Sequence, residues 1–192
     1  MMLSPRLDSL GIRPLEIEDA AQLHALVEHN REHLARWMPW AAEQDLEGTE
    51  RFLAEAEEQQ IRDNGFQAAI EPEGEIIGVV GFHAIDWVNR HTSLGYWLAA
   101  DAQGRGTMKT TVGALLPHVF YEWELHRVEI HCAPDNRRSR AIPERLGFRE
   151  EATLRETELV GGRYLDSVVY GLLETEWEED RNPGPEPGLL RR

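Results

Sequence analysis

Cysteine is almost missing from this chain of 192 residues. Cys132 stands alone, so no internal disulfide can form. A single thiol suits a reducing compartment, and a cytoplasmic location is the expectation. Long apolar runs are missing too. No stretch approaches the roughly 18 apolar residues that a membrane span needs, and the first residues, Met1 to Asp8, carry no signal-peptide core. Basic charge is scarce. Lys109 is the one lysine among 20 basic residues, set against 35 acidic ones for a net charge of −15. So acidic a surface repels phosphate backbones, and nucleic acid is not an expected partner. It is first of all a self-repelling, solubilising coat, and it would draw in basic partners at low salt. The eight histidines show no metal-ligand spacing, so no metal is expected, and no serine stands in a nucleophile elbow.

What is present is ordinary globular material. Hydrophobic residues make up 41% and charged residues 29%, enough for a core in a chain that should bury roughly 70% of its unfolded surface. One domain over residues 1–180 is expected, followed by a Pro/Gly-rich tail at 181–192. Apolar spacing predicts a first strand over Leu7–Pro14 and a helix opening at Ile17–Asp19. Pro39 should stop or turn the chain. Thr49 is the candidate N-cap for a helix over Glu50–Asp63, closed by Asn64-Gly65. Strands are expected at Phe66–Ile70 and Glu75–Ala84 as a hairpin, then at Thr92–Leu98. Met108, Val112, Leu115, Leu116, Val119 and Phe120 mark an amphipathic helix, which Pro117 should bend. A strand over Arg127–Cys132 follows. A helix capped by Asp135 or Asn136 then runs to about Leu146, closed by Gly147. A hairpin of Phe148–Glu158 and Arg163–Leu173 turns at Gly161-Gly162, and Glu174–Glu179 is a candidate last helical turn. The order describes an α+β chain with one β–α–β crossover near its centre.

The segment Gln103-Gly104-Arg105-Gly106-Thr107-Met108 lies between a strand and the amphipathic helix. Its glycines allow close backbone approach, and the first helical turn offers free N–H groups and a partial positive charge to a phosphate. Arg105 and Lys109 could add charge. A P-loop is excluded because Met108, not glycine, precedes Lys109, and a dinucleotide fingerprint is excluded because Lys109 stands where its third glycine belongs. On these residues alone, an anion grip and an idle glycine-rich loop stand even.

A second segment runs from Asn136 through Ser139 to Leu146-Gly147-Phe148. Together the two resemble the GNAT superfamily of acetyl-CoA-dependent N-acetyltransferases. Gln103 and Gly106 match that family's Gln/Arg-x-x-Gly-x-Gly/Ala loop, with Met108 in place of a small residue, and Asn136 and Ser139 match its Asn-x-x-Ser segment. The stretch Leu154–Leu173, with Glu158, Gly162, Asp166 and Tyr170-Gly171, is similar to the RimJ/RimL branch that modifies ribosomal-protein N-termini, as is Arg31–Trp40. The resemblance covers roughly residues 7–178. It implies the GNAT fold: a central mixed, mostly antiparallel sheet splayed between two parallel strands and flanked by helices. Pantetheine would pair with the strand at 93–99, Leu98 included. The diphosphate would rest on the N–H groups of about 104–109, Thr107 among them. Dimers are common in that family.

Acetyl transfer to an amine needs a neutral nucleophile, a donor for the oxyanion and a proton or hydrogen bond for the departing thiolate. By the resemblance, Ser139 serves the thiolate; the alternative is a serine capping its helix. Tyr164 or Tyr170 are lesser options for the same task. Glu158 matches the branch's glutamate and is the candidate base; the alternative is an exposed strand carboxylate. Asn136 would orient the cofactor or cap the helix. Trp37 and Trp40, with Met38, would wall the acceptor site or pack in the core, and Asp166 would position the amine or hold the hairpin. Cys132 and His131, being adjacent in a strand, face opposite sides and make no nucleophile pair. The expected acceptor is a protein N-terminal α-amine attacking in a ternary complex, on a basic ribosomal-type protein that the acidic surface would suit. Small amines such as an antibiotic or polyamine are the alternative, and a non-catalytic acyl-CoA sensor is the rival class.

Overall fold

The computed structural model describes residues 5–177. A short helix α1 (Pro5–Ser9) leads into strand β1 (Ile12–Pro14). A 3-10 turn at Ile17–Asp19 then opens α2 (Ala20–Leu34), and a second at Pro39–Ala42 precedes α3 (Leu46–Ile61). Strands β2 (Gln67–Ile70), β3 (Gly78–Phe82) and β4 (His91–Leu98) follow, then α4 (Thr107–Pro117), β5 (Arg127–Cys132), α5 (Arg137–Arg145), β6 (Arg149–Val160) and β7 (Arg163–Leu173). The strands form one sheet in the order β1-β2-β3-β4-β5-β7-β6. Every neighbouring pair is antiparallel except β4 and β5, which α4 joins as a crossover.

That parallel pair is short. Only His91–Ser93 pair with Arg127–Glu129, and beyond Ser93 and Glu129 the two strands part. The expected splay is therefore present. Each face of the sheet is covered. Val80, Phe82, Leu94, Leu98, Val128 and Ile130 pack with Met108, Val112 and Leu115 of α4 on one side. Ala69 and Val79 pack with Leu23 of α2 and Leu53 of α3 on the other. Arg13 ties β1 to the start of α2: its guanidinium donates to both Asp19 oxygens at 2.8 Å and to Glu71 at 2.9 Å.

Several expectations change. Leu7–Pro14 is not one strand. Leu7 and Leu10 are buried at a spacing of three, which suits a helical turn, and Gly11 at φ +68° redirects the chain. A Cβ on Gly11 would stand 2.6 Å from Glu71 O, so that turn needs glycine. Thr49 does not cap α3. Asp45 does, accepting from the Gly48 N–H at 2.7 Å, while the Thr49 hydroxyl donates back to Asp45 O within the helix. Pro117 closes the α-helical hydrogen bonding, and a wider π turn at His118–Glu122 follows, with Trp123 N donating to His118 O. The last helical turn is Glu174–Glu176. The tail at 181–192 lies outside the described residues. Among the described residues no helix is long and apolar enough to cross a membrane.

Candidate active site

The parting of β4 from β5 opens a cleft of about 1460 Å³. The glycine-rich turn borders it. Gly104 and Gly106 both stand at φ +81°, the left-handed region that costs other residues roughly 1–2 kcal/mol. A Cβ at either would meet nothing within 4 Å. The glycines therefore serve the backbone path, and the space beside them is open to a ligand. Gly106 is the N-cap of α4, and the first intrahelical bond runs from Thr110 N to Gly106 O at 3.0 Å. The N–H groups of Thr107, Met108 and Lys109 precede that bond and suit a diphosphate. Met108 is buried beside Leu98 and Val112, so its bulk is held by the core. Lys109 and Leu98 line the cleft, whereas the Arg105 side chain lies outside the lining. Gln103 is held on two sides. Its amide is 2.7 Å from His33 Nε2 of α2 and accepts from Arg138 of α5 at 2.9 Å.

Asn136 caps α5 by accepting from Ser139 N at 3.2 Å. The cap sets the first turn of α5 and thereby Ser139, whose Oγ lies 3.1 Å from Cys132 Sγ and 3.4 Å from the Tyr96 hydroxyl. Tyr96 in turn donates to Ser139 O at 3.0 Å. Burial pushes the Tyr96 phenol well above its usual 10, reinforced by Cys132, so it stays protonated. Burial likewise raises the Cys132 thiol, with Ser139 acting against it. The structure thus adds Tyr96 and Cys132 to the serine. The sequence signal for Tyr96 was its place between Leu94 and Leu98: a phenol on a core-facing register needs a polar partner for its hydroxyl.

The expected acceptor residues line the same cleft. Trp37 and Trp40 both line the cleft, and Trp40 is 41% exposed, stacked at a tilt on Trp97 with centroids 6.1 Å apart. Arg31 of α2 holds their loop, donating to Ala41 O, Ala42 O and Gln44 O at 2.6, 3.0 and 2.5 Å. Glu158 and Asp166 line the same cleft from the terminal hairpin. Asp166 accepts from Glu156 N at 2.9 Å, fixing a bulge where Glu156 stands at φ +55° and the register shifts between Leu154 and Glu158. Such a bulge re-aims the side chains that follow it. Tyr164 is 64% exposed and outside the lining. Tyr170 is also outside it. Its hydroxyl accepts from Arg140 Nε and donates to Glu144, both at 2.8 Å, and burial pushes it up to about 12. That makes it a lock between α5 and β7.

A family described as the acetyltransferase (GNAT) domain matches residues 9–149. YdaF of Bacillus subtilis (strain 168), named provisionally as a ribosomal N-acetyltransferase, is 35% identical over 91% of this chain and 96% of its own length. The [ribosomal protein uS5]-alanine N-acetyltransferase of Escherichia coli (strain K12) is 28% identical over 91% of this chain and 92% of its own. Among solved structures, RimL, a ribosomal L7/L12 α-N-protein acetyltransferase in complex with coenzyme A held as a cysteine disulfide, superposes with a TM-score of 0.81. It is 28% identical, over 84% of this chain and 92% of that one.

Proposed function

Because this chain belongs to the GNAT family and is an acetyl-CoA-dependent N-acetyltransferase, we propose that it acetylates the α-amine at a protein N-terminus, with a basic ribosomal-type protein as acceptor. Acetyl-CoA is the co-substrate. The open space beside Gly104 and Gly106, the leading N–H groups of α4 and the gap between β4 and β5 fit its diphosphate and arm. The observation that carries the reading is Ser139. A hydroxyl fixed by the Asn136 cap, with Tyr96 and Cys132 as neighbours, belongs to a residue that lines the same cleft as Trp37, Trp40, Glu158 and Asp166.

The chemistry then runs in one complex. The amine lone pair attacks the thioester carbonyl carbon. The oxyanion collapses, the C–S bond breaks, and the electron pair goes to sulfur. Ser139 donates a hydrogen bond to the departing thiolate, and the buried Tyr96 hydroxyl keeps that serine in place. Glu158 draws the cationic form of the acceptor into the cleft and offers it a carboxylate, directly or through water. The net charge of −15 favours arrival of a basic protein. The relatives' names support the acceptor class, and location with the ribosome in the cytoplasm would follow from it.

The test is thiol release from acetyl-CoA across N-terminal peptides, polyamines and aminoglycosides. Turnover concentrated on peptides is the expected result. Turnover on small amines alone would overturn the acceptor, and coenzyme binding without any turnover would mark an acyl-CoA sensor.

A further inference from the structure

We infer that His83 takes the proton from the attacking amine. This rests on the acetyl-transfer reading above and adds a catalytic residue to it. His83 directly follows β3, where its backbone N–H still donates to Ser93 O at 2.9 Å. Along β4, Leu94 and Leu98 enter the core under α4, so Ser93, Gly95 and Trp97 face the side of α2 and α3. Along β5, Val128, Ile130 and Cys132 are buried, so Glu129 and His131 share the face of Ser93 and Gly95. The His83 ring lies on that face. Its Nδ1 is 2.8 Å from Ser93 Oγ, and its Nε2 would stand 3.1 Å from a Cβ at residue 95. Gly95 is two residues beyond the last β4 residue paired to β5. Nε2 therefore occupies the cleft floor where the strands part, in space that any side chain at 95 would contest.

The ring is oriented for a base. With Ser93 accepting from Nδ1–H, Nε2 carries the bare lone pair, and no described residue bonds to it. The ring opens to the cleft while protein atoms crowd it. That crowding lowers its pKa below 6.5, and His131 adds to the effect. His131 is itself held by Glu129 at 2.9 Å. The other charged groups on the cleft wall are Arg51 and Glu55 of α3, Glu158 of β6 and Asp166 of β7, with Arg36, Lys109, Asp135, Arg137, Arg138 and Arg145 also on the lining. The imidazole is thus neutral near pH 7. A free α-amine titrates near 7.7–8.0, an ordinary imidazole near 6.5 and an ordinary carboxyl near 4.3, so an ordinary imidazole lies about two units closer to the amine than a carboxylate, a margin that the crowding of His83 narrows.

Protons balance in the step. The amine nitrogen bonds to the carbonyl carbon, its N–H proton moves to His83 Nε2, and the C–S bond breaks toward the thiolate that Ser139 bonds. The imidazolium then returns its proton to the thiolate or to water.

The test uses the full chain with a peptide that the wild type acetylates. His83→Ala should lower kcat by about 10²-fold while coenzyme A affinity holds, and added imidazole should restore part of that rate. His83→Gln should remove one of the two protonations that shape the acidic limb of the kcat/KM profile, leaving the one that belongs to the substrate amine. Ser93→Ala, which keeps the ring but frees Nδ1, should move that limb. A His83→Ala rate within about threefold of wild type, or a loss that imidazole leaves untouched, would overturn the assignment. Wild-type protein that acetylates no amine would overturn this and the proposed function together. Wild-type activity with an unchanged variant profile would overturn His83 alone.

Discussion

Ser139 is held at three points: its N–H by the Asn136 cap, its hydroxyl by Tyr96 and Cys132, and its carbonyl by the Tyr96 hydroxyl. A group so fixed can act late in the reaction, when charge builds on sulfur, without contributing much to ground-state binding. Ser139→Ala should therefore lower kcat by about 10–10²-fold and leave coenzyme A affinity nearly unchanged, measured by thiol release and by calorimetry. Equal loss in both would make the serine a binding residue. Glu158→Gln should raise the KM of a basic peptide more than it lowers kcat, because the carboxylate acts on the approaching cation. At this scale the sequence pointed to Ser139, Asn136 and Glu158 as candidates through their motifs. It did not show His83 or Tyr96, because what makes them candidates is which face of the sheet each one takes. That is set by the β3–β4 register and the early end of the β4–β5 pairing, both long-range facts.

The turn at 103–106 and the loop at 35–45 both border the cleft. Gly106→Ala would place a Cβ on a left-handed residue, where open space makes the cost purely conformational, about 1–2 kcal/mol. Coenzyme A should bind roughly 5–30-fold more weakly if the turn relaxes out of its conformation. Unchanged affinity with lowered melting temperature would show that the turn holds its shape and the helix bears the strain. Arg31→Ala releases three carbonyls that hold the Trp40 loop. It should raise the acceptor KM and spare coenzyme affinity. Both hairpins and the crossover were legible, because Gly161-Gly162 and the 71–74 turn sit between runs of the right period. The start of the chain was not. Leu7 and Leu10 fit a strand's apolar content and a helix's spacing alike, and only their burial beside Ile12 and Ile70 decides for the helix. Thr49 and Asp45 are both competent caps, and the helix begins at whichever side chain reaches the first free N–H.

Across the whole molecule, charge bears on the proposed partner and on the acid side of stability. A chain at −15 should bind basic acceptor peptides less well as ionic strength rises, with KM climbing between about 0.05 M and 0.3 M salt while neutral peptides change little. Three imidazoles titrate low in the fold. Burial lowers His33, with Arg36 and Arg138 adding to it, and burial lowers His83 and His118, where Glu122 opposes the effect. Each binds its proton more readily unfolded. Their stability is therefore full above about pH 6.5 and is lost as pH falls through the lower folded values. Relief of self-repulsion works the other way, so the contrast between proteins is the readout. His118 packs edge-on to Phe66 and Trp123, and His118→Phe should lose less stability than wild type between about pH 7.5 and 5.5. Parallel curves would contradict it. Asp19 is opposed by burial but held below the usual carboxylate range by Arg13 and the Glu16 N–H. Its contribution persists above about pH 4 and falls away as pH drops through its folded value.

That the Ser139 cleft moves acetyl from acetyl-CoA to a protein's α-amine is tested most directly by one product map. A basic peptide with a free N-terminus and an internal lysine is incubated with the protein and acetyl-CoA, and fragment masses locate the acetyl group. The expected result is acetylation at the N-terminal nitrogen, lost in Ser139→Ala. Acetylation confined to the lysine side chain, or none on the peptide while small amines are acetylated, would contradict it.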